Sequence, residues 1–199
     1  MVKAFWHLSD NFGDKITPYL HDFQYVDKHH SEEHYIMCGS VLPAANEQSI
    51  IWGAGIAQDH PDIDWRVPKK IIAVRGKWTR KILLNHGIEC PKLYGDPAMM
   101  LPKLYFPDIT KTGKIAFVGN VIDTRKSDID IRQDVEPFID QLLAYEKIHT
   151  SSLHALIAAD AYGLKSQWYP YAGEGGLLKF TDYIQTNYDI DKFIESYPL

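Results

Sequence analysis

Short apolar runs alternate with stretches of mixed polarity along nearly the whole chain, and Gly, Pro, Asn and Asp punctuate the junctions. That alternation predicts βα units on parallel sheets, because buried parallel strands are apolar throughout whereas crossover helices are apolar on one face. The pattern places strands at Ala4–Leu8, Tyr35–Val41, Ser49–Trp52 and Lys70–Val74. Helices fall near Lys15–Phe23 and Lys77–Asn85, the second closed by Gly87. Past residue 101 the character changes: Pro102, Pro107, Gly113 and several lysines read as a linker. The alternation then restarts with strand Ile115–Val118, helix Val135–Ala144, strand Lys147–Thr150, helix Leu153–Tyr162 closed by Gly163, and strand Gln167–Tyr169. Two helical stretches end the chain. The expected organisation is α/β, with an N-terminal Rossmann-like lobe (1–101), a linker (102–113), a C-terminal Rossmann-like lobe (114–199) and a cleft between the lobes. A single large sheet is the alternative.

Composition narrows the function classes. With 199 residues and 45% hydrophobic content, the chain can bury one large core or two small ones. No run approaches the roughly 20 apolar residues that span a bilayer. Polar His7, Ser9 and Asp10 interrupt the N-terminal apolar segment too early for a signal peptide, so a cytoplasmic location is expected. Twenty-six acidic against 21 basic residues give a net charge of -5, which argues against a nucleic-acid-binding surface. Cys38 and Cys90 stand alone and read as buried thiols. The nine histidines show no zinc spacing, so no metal is expected.

In parallel sheets, ligands bind beyond the carboxyl ends of strands, where loops enter helices. Four such turns carry suitable residues: Asn11-Phe12-Gly13-Asp14, Gly53-Ala54-Gly55, Arg75-Gly76 and Ser151-Ser152-Leu153-His154. In the last, a serine is a natural N-cap, and His154 falls in the first helical turn beside the unpaired N–H groups. On this pattern alone the commoner reading is that His154 packs or caps the helix. Arg75 emerges from an apolar strand, and its planar fork suits a carboxylate or phosphate. Lys77, Arg80 and Lys81 spread around a helix and read as a solvated face. Gly53-Ala54-Gly55 lacks the third glycine of a dinucleotide fingerprint and reads as a tight turn.

Taken together and in order, several segments resemble the polysaccharide pyruvyl transferase family: Asn11–Asp14, Cys38-Gly39-Ser40-Val41-Leu42, Trp52–Ile56, Val74-Arg75-Gly76 with Thr79-Arg80, Gly95-Asp96-Pro97-Ala98, Ser151–Gly163 and Lys179–Tyr183. The resemblance implies a GT-B-like two-lobed fold. It also implies transfer of pyruvate from phosphoenolpyruvate to two hydroxyls of a sugar as a cyclic ketal, in exopolysaccharide or capsule synthesis. Phosphoenolpyruvate is then the donor substrate, and no separate cofactor is implied. By the same resemblance Arg75 and His154 are the catalytic residues. Asn11, Gly13, Asp14, Gly53, Gly55, Ser151, Ser152 and Lys179 are expected to bind substrate. Trp168, Tyr169 and Tyr171, next to the segment Gly173-Glu174-Gly175-Gly176, are placed either to stack on sugar rings or, the commoner role, to pack in core and rim, and Asp182 with Lys179 is expected to line the cleft. Acceptors of this kind are often lipid-linked, which would bring the protein to the inner face of the membrane without an anchor of its own.

The chain departs from the family in being short, in carrying Gly119-Asn120 where a Pro-His pair is usual, and in having Ala155 after the histidine. Two other readings stay open at this level: a GT-B glycosyltransferase using a nucleotide-sugar, and a non-catalytic paralogue that binds a glycan or a partner.

Overall fold

The computed structural model describes residues 1–171 and 176–199. Among the described residues eight strands form two separate parallel sheets, so the single large sheet is set aside. The first sheet holds β1 (Val2–Phe5), β2 (Phe23–Tyr25), β3 (His34–Ile36), β4 (Ser49–Trp52) and β5 (Lys70–Ala73), in the order β2-β1-β3-β4-β5. The second holds β6 (Ile115–Val118), β7 (Lys147–Thr150) and β8 (Lys165–Trp168), in that order. Between strands and beyond them run α1 (Phe12–Leu20), α2 (Lys77–Asn85), α3 (Leu101–Leu104), α4 (Val135–Leu143), α5 (Leu153–Ala161), α6 (Leu178–Ile184) and α7 (Ile190–Glu195).

Contacts divide the chain into two units that differ from the contiguous lobes read from the sequence. The first unit combines residues 1–7, 20–97 and 176–199; the second combines 8–19 and 98–171. Aromatic packing and helix capping explain the difference. Trp52, at the end of β4 and fully buried, stacks on Phe193 of α7 with centroids 4.2 Å apart and donates its indole N–H to Ser196. The C-terminal helices are thereby part of the first core. Phe12 of α1 stacks on Phe138 of α4 at 4.1 Å, and its N–H reaches the Ile131 carbonyl at 2.8 Å. Helix α1 thus belongs to the second core although it follows β1 in sequence.

In the first unit every residue of β4 is buried, as a strand with both faces covered requires. Its core gathers Ile36, Val41, Ile51, Ile56, Val74 and Leu83 among others. At the amino ends of the strands, fully buried His34 bridges the Glu32 carbonyl through Nδ1 and the Ser49 hydroxyl through Nε2, each at 2.9 Å. Desolvation holds this imidazole below its usual pKa, in the neutral form. In the second unit α5 is buried around most of its circumference, with only Asp160 exposed, and packs on β7 and β8. Gly87 and Gly163 end α2 and α5 with φ of +73° and +70°, the left-handed conformation that glycine adopts without strain.

Strand boundaries differ from the sequence reading mainly at the first two. β1 starts and ends earlier than Ala4–Leu8, and β3 ends at Ile36 rather than Val41. The residues after Ile36 leave the ladder because Gly39 has φ of +104°. Short β2 was not legible, since only Phe23 of its three residues is buried.

Candidate functional site

The residues singled out by sequence fall into two groups, one in each unit. In the first, Arg75 follows β5 as expected, but its side chain turns inward and is completely buried. Its Nη1 donates to Ser40 at 3.0 Å, its Nη2 to the Ile56 carbonyl at 2.6 Å, and its Nε lies 3.4 Å from Asp182. Gly55 makes this possible, because a Cβ at that position would overlap the guanidinium. Gly53, at φ of +89°, lies against Pro97 in the neighbouring turn. Asp182 of α6 is equally buried and accepts the Trp78 and Thr79 N–H groups at 2.8 and 2.9 Å and the Thr79 hydroxyl at 2.6 Å. Thr186 accepts the Lys77 N–H. The first turn of α2 is therefore capped from α6, not by its own N-cap residue, Gly76. Lys179, half-buried on α6, points its ammonium over Phe180 at 5.2 Å.

In the second unit Asn11, Gly13, Asp14, Ser151, Ser152 and His154 come together where α1 and α5 begin. Of the two serines open as N-cap in the sequence, Ser152 caps α5, accepting the Ala155 N–H at 3.5 Å, while Ser151 does not. His154, 8% exposed, lies flush against Gly13, where any Cβ would overlap its ring. The start of α1 is braced by Ser9, whose hydroxyl accepts the Asn11 N–H and donates to Asp14. The buried Asn11 Oδ1 has no hydrogen-bond partner. Two helix N-termini thus converge on one imidazole, an arrangement that presents N–H dipoles to negative charge.

Ser151 ties this site to the loop after β6. Its hydroxyl accepts the Asn120 N–H at 2.9 Å and donates to Asp123 at 2.6 Å. Arg125 grips Asp123 through Nε and Nη2, and this contact, with Ser151, holds the carboxyl at a pKa of about 2. The Arg125 guanidinium also lies over Phe117 and Tyr171. Sequence reasoning missed the Asp123–Arg125 pair, because a charged pair two residues apart in a loop has no periodic signature. Tyr169 stacks on His149 at 4.8 Å. The segment Gly173-Glu174-Gly175 lies outside the described residues. Cys38 and Cys90 are both buried and unbonded to each other, and burial pushes the Cys90 thiol up to about 12.

Parallel α/β units bind ligands beyond the carboxyl ends of their strands, and His154 lies at such a place beside the starts of α1 and α5. The sequence family narrows this: a model of the polysaccharide pyruvyl transferases matches residues 7–171, and the chain belongs to that family. It is a transferase of the kind that acts in polysaccharide pyruvylation. A crystal structure of a functionally uncharacterised protein from Klebsiella pneumoniae is similar in fold, with a TM-score of 0.54 and 17% identity over 94% of this chain and 92% of that one. No curated protein matches the chain. Among the described residues no helix is long and apolar enough to cross a membrane.

Proposed function

We propose that the protein transfers pyruvate from phosphoenolpyruvate to two hydroxyls of a saccharide, forming a cyclic ketal and releasing inorganic phosphate. The observation that carries this reading is the seating of His154 against Gly13 at the start of α5, within a chain whose family is that of pyruvyl transferases. Family membership supplies the reaction class, and the imidazole supplies a group that can both accept and donate a proton.

The first acceptor hydroxyl adds its oxygen to C2 of phosphoenolpyruvate while C3 gains a proton and becomes a methyl group. The C2–O bond to phosphate then breaks, and both electrons leave with phosphate. The second hydroxyl attacks the resulting oxocarbenium centre and loses its proton, closing the ketal. In this scheme His154 delivers the proton to C3 and recovers one from a hydroxyl, and the proton of the other hydroxyl leaves with the phosphate. The helix N-termini at Gly13 and Ser152 stabilise the donor's negative charge. Arg75 enters as a positioning residue that holds the Gly55 turn through the Ile56 carbonyl, since its buried guanidinium is already engaged on three sides. The acceptor belongs to a polysaccharide or its lipid-linked precursor, at the cytoplasmic face of the membrane.

Incubation with phosphoenolpyruvate and candidate acceptors, followed by phosphate release and the ketal methyl signal in proton NMR, tests the reaction. His154→Asn should abolish both signals while the circular dichroism spectrum stays unchanged. Undiminished turnover in that variant would remove His154 from the mechanism. Consumption of a nucleotide-sugar without ketal formation would replace the reading with glycosyl transfer.

A further inference from the structure

Beside the His154 group, the second unit contains a cavity of about 280 Å³ whose walls include Asn120, Asp123, Arg125, Asp130, Ile131 and Arg132. Two independent contacts join these walls to the candidate catalytic residue. Ile131 accepts the N–H of Phe12, the neighbour of the Gly13 on which His154 rests, and Asn120 donates its N–H to Ser151 at the entrance to α5. We propose that this cavity is the subsite for a neutral sugar ring of the acceptor, an assignment that rests on the pyruvyl-transfer reading above.

Charge decides the class of ligand. The ionised groups on the walls are two arginines and two aspartates, and they are paired: Asp123 with Arg125 at 2.6 Å and Asp130 with Arg132 at 3.5 Å. An anion entering would meet as much repulsion as attraction, so phosphate or carboxylate gains nothing here. An apolar ligand would strand the polar walls without partners. A polyol satisfies both halves of the exposed Asp130–Arg132 pair, because a hydroxyl accepts from guanidinium and donates to carboxylate. Asp123 is buried and fully committed to Arg125 and Ser151, so it forms a rigid floor. Asp130 and Arg132, with side chains 62% and 53% exposed, present an acceptor and a donor side by side, matched to adjacent hydroxyls. The volume lies at the small end of ligand sites and suits one ring, not a nucleotide.

The test is a titration of the ¹⁵N-labelled full chain with the methyl glycosides of glucose, galactose, mannose and N-acetylmannosamine, with inorganic phosphate as the anionic probe. At least one glycoside should shift the amides of Asn120, Ile131 and Arg132, and Arg132→Ala or Asp130→Ala should weaken that binding by about tenfold or more. Both variants alter exposed side chains, so the remaining amide spectrum reports an intact fold. No glycoside shifting these amides, equal binding in both variants, or phosphate displacing the sugar would each overturn the assignment. A parallel phosphoenolpyruvate titration separates it from the reaction. Donor binding at Gly13 and Ser152 with an empty cavity defeats the subsite alone. Sugar in the cavity without donor binding or phosphate release defeats the pyruvyl-transfer reading alone.

Discussion

Replacing Asp182 tests the claim that the first unit is held by a cross-chain cap coupled to a buried arginine. In Asp182→Ala, the N–H groups of Trp78 and Thr79 and the Thr79 hydroxyl lose their acceptor, and Arg75 keeps a fully buried charge without its carboxylate. Loss of a helix cap alone costs about 1 kcal/mol. Removing one member of a buried ion pair costs about 3–5 kcal/mol, and because the two effects share one side chain they do not simply add. We therefore expect a loss of about 3–5 kcal/mol, a large share of the stability of an ordinary domain. Asp182→Asn retains an acceptor for the α2 amides and should lose less, about 1–3 kcal/mol. Adding Arg75→Met to Asp182→Ala should restore part of the loss by removing the orphaned charge. Urea unfolding followed by tryptophan fluorescence is a suitable assay, since Trp6, Trp52, Trp65 and Trp78 all lie in the first unit. A stability for Asp182→Ala within about 0.5 kcal/mol of the parent, the range of ordinary surface changes, would refute the coupling.

Three further outcomes follow from the same geometry. Gly13→Ala should push the His154 ring from its seat and reduce turnover by about 100-fold or more, as displacement of a catalytic group does. Gly119→Ala, whose Cβ would meet nothing nearer than 3.4 Å, should leave the fold unaltered by thermal melting. His34 gives the first unit an acid sensitivity: its folded pKa lies below that of the unfolded chain, so only the unfolded state takes up the proton as pH falls below about 6.5. Urea midpoints should accordingly decline from pH 7.5 to pH 5, and His34→Gln should flatten that part of the dependence.

Much of the local structure was legible in sequence because local physics determines it. Helix Lys77–Asn85 and strands Ser49–Trp52, Ile115–Val118 and Lys147–Thr150 match the apolar pattern residue for residue, since burial and periodicity are recorded at each position. A serine cap and the place of His154 in the first turn of α5 were likewise written in four consecutive residues, though not which of Ser151 and Ser152 is the cap. Tertiary structure alone decided what those residues face. Arg75 stands at a strand end either way, yet only the missing Cβ of Gly55 and a carboxylate from α6 turn its charge inward. Periodicity says that α1 and α7 must bury an apolar face; it does not say against which core. Phe138 and Trp52 answer that question, drawing residues 8–19 into the second unit and 176–199 into the first. The choice of a distant partner depends on shape and pairing across the folded chain, and no sequence-local rule carries that information.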